Sequence, residues 1–177
     1  IRDLLMGDFL LLMDAVTFLI GCETKGFVRR SVSPPQTEGA IKGSQEAFTE
    51  NIKTNTTLIR RLIKNPKLIV EYTQVGDMNQ SPCALLYVEG ICNPAIVEEV
   101  KRRMGAIHGD LILGSGMLEQ FIEDNPFSIF PNVLSTERPD RTATALNEGR
   151  VAIIVDGTPF AVIVPITFRS MLTTPED

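Results

Sequence analysis

The run VAIIVDGTPFAVIV at residues 151–164 decides the fold, with two dense apolar segments on either side of Asp156-Gly157. Gly and Asp tolerate positive φ, so this pair between apolar runs predicts a β-hairpin with a two-residue turn. An echo lies at the other end of the chain. Leu146, Gly149, Asp156 and Phe160 repeat the identity and spacing of Leu4, Gly7, Asp14 and Phe18 at a constant offset of 142 residues. FLLLMDAVTFLIG at 9–21 again carries an Asp inside an apolar run. A shared pattern at fixed offset predicts a duplicated unit. Residues 9–21 then read as two short strands around a turn near Asp14, apolar throughout as in a sheet covered on both faces. Residues 1–43 are expected to hold the closing strands of a first, incomplete α/β subdomain plus a connector. Residues 44–177 are expected to form the second.

The rest of the chain alternates helices with strands. Thr24 to Gly43 is polar and turn-rich, with Pro34-Pro35 fixing an extended connector and a candidate hinge. Ser44 is expected to cap a helix running to about Lys64, with Phe48, Ile52, Ile59, Leu62 and Ile63 on one face and Asn55 inside the same stripe. Arg60, Arg61 and Lys64 sit where positive charge complements the helix dipole, and Asn65-Pro66 stops the helix. KLIVEYTQ (67–74) and CALLYVE (83–89) read as strands. Asn93-Pro94 marks a helix start, followed by Val97, Val100 and Met104 on its apolar face. A strand at 110–113, a helix at 117–124, an irregular segment at 125–139 and a helix from Asp140 to Asn147 lead back to the hairpin. The class is α/β: two small subdomains with mixed sheets flanked by helices.

Composition narrows the function. Apolar residues make up 44% and charged residues 22% of 177, enough to bury a core. Seventeen basic against 22 acidic residues give a net charge of -5. That argues against nucleic acid as the main partner, because phosphate contacts need a surplus of Lys and Arg. Cys22, Cys83 and Cys92 lack a C-x-x-C pair and read as small buried hydrophobes in a reducing compartment. The sole histidine, His108, has no nearby Cys, so no metal site and no cofactor is expected. No P-loop, G-x-S-x-G or G-x-G-x-x-G is present, and the GSG at 114–116 reads as a turn. No catalytic residue is assigned.

The densest polar cluster is STERPDR at 135–141. Thr136, Glu137, Arg138, Asp140 and Arg141 are the candidate binding residues. Two guanidinium forks beside a helix start suit an anion or a partner's carboxylate. The other reading is internal, with Glu137 and Asp140 pairing with the arginines. EDNPFSIFPN at 123–132 carries Phe127 and Phe130, either core anchors or an exposed docking edge.

Several blocks carry a resemblance: FTENIKTNTTLIRRLIKNPKL, YVEGICNPAIVEEV, IEDNPFSIFP, STERPDRTATAL and EGRVAIIVDGTPFAVIVP. Together, and in this order, they resemble the soluble N-terminal domain of the A subunit of GerA-type nutrient germinant receptors of spore-forming bacteria. Lys42-Gly43-Ser44 stands where that family tends to show Arg-Gly-Pro, and Gln45 where it tends to show Arg. The resemblance implies soluble sequence before Ile1 and membrane-spanning helices soon after Asp177. It also implies a complex with a transporter-like membrane B subunit and a lipoprotein C subunit in the spore inner membrane, with A subunits forming a homo-oligomer. Such a complex senses amino acids or sugars and triggers ion release. The missing signal peptide points to the cytosolic side. Two functions follow: a non-enzymatic sensing and coupling domain, or a module binding a small-molecule germinant in the cleft between subdomains.

Overall fold

The 151–164 run folds into a hairpin as expected, but its strands are joined through residues 156–160 rather than by a two-residue turn, and the remaining elements build around it. The structure, a computed structural model, describes residues 9–11, 20–22, 31–38, 44–77, 79–107, 114–122 and 133–166. In chain order the elements are β1 (Phe9–Leu11), β2 (Ile20–Cys22), α1 (Ile52–Ile63), β3 (Leu68–Val75), β4 (Ser81–Val88), α2 (Pro94–Gly105), α3 (Ser115–Ile122), β5 (Leu134–Thr136), α4 (Pro139–Asn147), β6 (Val151–Val155) and β7 (Ala161–Val164). The strands form a two-stranded sheet, β1-β2, and a five-stranded sheet ordered β3-β4-β6-β7-β5. The α/β class is as expected. Every described pairing is antiparallel where mixed sheets were anticipated. The reason lies in β7, which stands between β5 and β6. Those two strands are therefore parallel to each other without touching, joined through α4 as a split β-α-β unit.

The echo in sequence is also an echo in register. Phe9, Leu10 and Leu11 pair with Cys22, Gly21 and Ile20. Val151, Ala152 and Ile153 pair with Val164, Ile163 and Val162. The two ladders superpose under the same offset of 142 residues.

Both faces of the large sheet are covered, which is why β6 reads VAIIV with every residue buried. Ala84, Leu86, Val88, Ala152, Ile154 and Ile163 face Phe48, the α1 residues Ile52, Leu58 and Ile59, and Leu146 of α4. On the other face Cys83, Leu85, Ile153, Val162 and Val164 meet Val97, Val100 and Met104 of α2 and Leu118 and Ile122 of α3. Cys83 and Cys92 are buried thiols. Burial, with the charge of Asp156 adding to it, pushes the Cys83 thiol up to about 12, so it packs as a small hydrophobe. The side chain of Cys22 lies outside the described residues.

Two expectations about boundaries change. The helix begins at Ile52 rather than after Ser44, and its cap is Asn51, whose side chain accepts from Thr54 N at 3.0 Å. Residues 47–49 are committed elsewhere: Ala47 N donates to Ser33 O, Phe48 N to Glu137 O and Thr49 N to Asn55 Oδ1. Amides used by distant partners are lost to a helix ladder. Asn55 is buried in the apolar stripe as expected because it serves as that partner, whereas Leu62 is exposed. The segment expected to be irregular contains β5, and Gly116 of the GSG lies inside α3. Asn93 and Pro94 start α2 as read, with Asn93 Oδ1 accepting from Ala95 N. Asp14, His108, the 110–113 strand, Phe127 and Phe130 lie outside the described residues.

The tight turn before β6 yields a first prediction. Gly149 has φ +85°, and a Cβ there would stand 2.9 Å from the carbonyl oxygen of Ile91. Gly157 has a similar φ of +87° with nothing within 4 Å. Left-handed backbone alone costs a non-glycine residue about 1–2 kcal/mol. Gly157→Ala is expected to lose about that much in urea unfolding, and Gly149→Ala clearly more.

Candidate functional site

The STERPDR segment spans β5, its exit and the first turn of α4, and its polar groups converge on residues 36–38. Glu137, only 4% exposed, directs Oε1 at the chain before α1. That oxygen accepts from Thr37 N, from Thr37 Oγ1 at 2.8 Å and from Glu38 N at 3.1 Å. Successive amides aimed at one anion make a nest, here filled by the protein's own carboxylate. The Glu137 carbonyl meanwhile accepts from Phe48 N at 2.9 Å. One residue thus holds both ends of the strap that precedes α1.

Glu38 answers from the strap. Its carboxylate accepts from Thr136 Oγ1 at 2.5 Å and from Arg141 Nη1 at 3.2 Å. Arg138, its side chain 5% exposed, forks onto Asp140 through Nε at 3.1 Å and Nη2 at 2.6 Å. All five residues singled out from sequence are therefore brought together. The charge pairing differs from the simple internal alternative: Asp140 takes Arg138, Glu38 takes Arg141, and Glu137 takes amides rather than a guanidinium. Burial raises the Glu137 carboxyl, yet the donations from Thr37, Glu38 and Gln36 outweigh it and hold the group below its ordinary value of 4.5. The Asp140 hydrogen bond holds the Arg138 guanidinium charged against burial.

A second feature is a cavity of about 380 Å³ between α2, α3 and the end of β7, lined by Ile96, Val100, Ile122, Val133, Val164 and Pro165, with Glu99 and Arg103 at its rim. Those two rim groups bond each other: Arg103 Nε donates to Glu99 at 2.7 Å, and Arg102 reaches the same carboxylate. Hydrogen bonds from Arg102 and Arg103 hold Glu99 at about 2. Among the described residues no cluster of His, Cys, Asp and Glu fits a metal ion, and no helix is long and apolar enough to cross a membrane.

The family model for the Bacillus/Clostridium GerA spore germination protein matches residues 1–177. The chain belongs to the GerA family. Spore germination protein KA of Bacillus subtilis is 43% identical over 175 residues, covering 99% of this GerA chain and 32% of that protein. GerLA of Bacillus cereus is 40% identical over 177 residues, covering 100% and 36%. The GerA chain thus spans about a third of the length of the curated relatives it matches. Among solved structures, the N-terminal domain of the A subunit of the Bacillus megaterium spore germinant receptor GerK3 is similar at 47% identity. Its TM-score is 0.56, with 69% of this chain and 97% of that one covered.

Sequence reading of this GerA chain missed the strap's side of the cluster. Gln36, Thr37 and Glu38 had been folded into a hinge connector, and Glu38 was not singled out. The available signal was Pro34-Pro35, which stiffens the approach and makes a fixed docking of the next residues cheaper in entropy.

Proposed function

We propose that this chain is a non-enzymatic sensing and coupling domain of a germinant receptor A subunit in the spore inner membrane. It helps assemble the receptor with its transporter-like B subunit, lipoprotein C subunit and further A copies, and it transmits nutrient binding to ion release. In this reading residues 1–43 close a first lobe and lead into the second. The observation that carries it is the lock between strap and body, in which Glu137 and Glu38 bind across the junction. A lock of this kind supplies two states, docked and released, whose balance a partner can bias. Its polar groups are engaged with one another, which suits holding and releasing better than catalysis.

The rival reading, direct binding of a small germinant in the cleft between subdomains, draws on a cavity that lies elsewhere, between α2, α3 and the end of β7, and whose size falls in the range of small-molecule sites. Thermal unfolding of the whole soluble N-terminal region separates the two. A ligand at 100 times its Kd stabilises by about 2.7 kcal/mol. The coupling reading expects no shift with a panel of amino acids and sugars, and a shift on mixing with the B and C subunits. A germinant that raises the unfolding temperature on its own overturns it in favour of direct binding.

A further inference from the structure

Charge pairing sets one end of the domain apart. Arg61 bonds Glu46, Arg102 and Arg103 share Glu99, and Lys101, Arg138, Arg141 and Arg150 each hold a carboxylate too. Arg60, Lys64 and Lys67 are exposed and make no ion pair among the described residues. In a chain of net charge -5 these three unneutralised cations stand close together in sequence. They also stand at one end of the sheet. α1 closes at Ile63 with Lys64 as its cap, Arg60 lies one turn earlier, and β3 starts at Leu68. Glu89 N donates to Lys67 O at 2.9 Å, which sets the 89–91 turn against Lys67. Ile91 in that turn is 49% exposed, and Leu62 in the last turn of α1 is 39% exposed. The acidic residue of the turn, Glu89, acts through its charge on Tyr87, which packs on the α2 side of the sheet.

We propose that this end of the domain, formed by the last turn of α1 and the 65–67 and 89–91 turns, rests on the surface of an anionic lipid bilayer. The inference rests on the proposed place of the chain in a receptor of the spore inner membrane, and it names the face turned to the lipid. Charge complementarity selects the occupant, because anionic headgroups supply the negative charge that the chain itself withholds from Arg60, Lys64 and Lys67. Leu62 and Ile91 select it further. Apolar side chains set among basic ones enter the headgroup layer, while long Lys and Arg stems carry their charges to the phosphates. A free phosphate ion would leave the apolar pair without a role.

Co-sedimentation of the chain with lipid vesicles tests it. The chain should pellet with vesicles containing phosphatidylglycerol, stay in solution with pure phosphatidylcholine, and be released by raised salt. Each basic residue close to an anionic surface is worth about fivefold in binding. Lys64→Gln should therefore weaken binding about fivefold, and the combined Arg60→Gln, Lys64→Gln and Lys67→Gln variant about a hundredfold. Ile91→Ser should weaken it as well but keep the salt dependence of the wild type. Arg102→Gln makes the same change of charge on α2, where Glu99 pairs the arginine, and should leave binding unchanged. Equal weakening by Arg102→Gln overturns the location, and a triple variant that binds like the wild type overturns the role of the three cations. A chain that ignores phosphatidylglycerol vesicles overturns the inference; if it still associates with the B and C subunits, the receptor reading stands without it. Loss of that association in the triple variant would then assign the cations to an acidic protein surface instead. A chain that binds the vesicles but not the subunits leaves this inference standing and removes the receptor reading.

Discussion

Phe48→Ala is expected to lower the stability of the chain by about 3–5 kcal/mol, the range for removing a fully buried aromatic ring. Phe48 is 0% exposed and packs with Ile59, Leu86, Leu146 and Ile154, where α1, α4 and the sheet meet. It stands outside any helix or strand, on backbone whose amide is tied to Glu137 O. The ring therefore fixes the segment entering α1 as well as filling the core. Urea unfolding measures the loss. Leu62→Ala is the comparison, because that side chain lies on α1 but is 39% exposed, and surface changes of this kind usually fall within about 0.5 kcal/mol. Equal losses at the two positions would mean that Phe48 does not anchor the segment.

The Phe48 position also shows how far sequence reading reaches. Periodicity placed Phe48, Ile52 and Ile59 on one face, and all three are in one core. Periodicity assigns a face, but it is blind to a residue that reaches the same core from outside the helix. The decision between the two was made by long-range bonds: Ser33 O to Ala47 and Glu137 O to Phe48. Those partners lie far off in sequence and leave no local trace. The hairpin at 151–164 was legible because its information is local, apolar runs plus a turn pair. Even there, Asp156 does more than turn the chain, since its Oδ1 accepts from Ile52 N at 3.0 Å at the start of α1. The cluster was half legible for the same reason. Residues 135–141 are contiguous and dense in charge, whereas their counterpart, Glu38, is a single acidic residue in a polar stretch. Only the fold brings it to Arg141 and Thr136.

Glu137→Ala is expected to release the strap and remove about 2–3 kcal/mol, the scale of hydrogen bonds to a charged group. All three of the carboxylate's contacts with Thr37 and Glu38 end on Oε1. Glu137→Gln keeps an acceptor in that place and loses only the charge, so its cost is expected to be about half as large. The pH dependence separates charge from shape. The folded carboxyl titrates below its ordinary value of 4.5, so its contribution is fully present above that value and is lost as pH falls through the folded one. The gap between wild type and Glu137→Gln should therefore be widest near neutrality and close in acid. Glu71 and Glu99 also titrate low, but both variants retain them, so the difference isolates position 137. In spores carrying the full-length receptor, Glu137→Ala should weaken the nutrient response by more than Glu137→Gln, following the release of the strap. Arg138→Ala supplies the contrast. Its guanidinium forks onto Asp140 of α4, with the charge of Glu38 also acting on it, so its loss should lower thermal stability. Unchanged stability with lost germination at Arg138 would instead mark that side chain as a contact to another subunit. If neither Glu137 variant moves the unfolding curve at neutral pH, the strap is not held by this carboxylate and the lock fails as a coupling device.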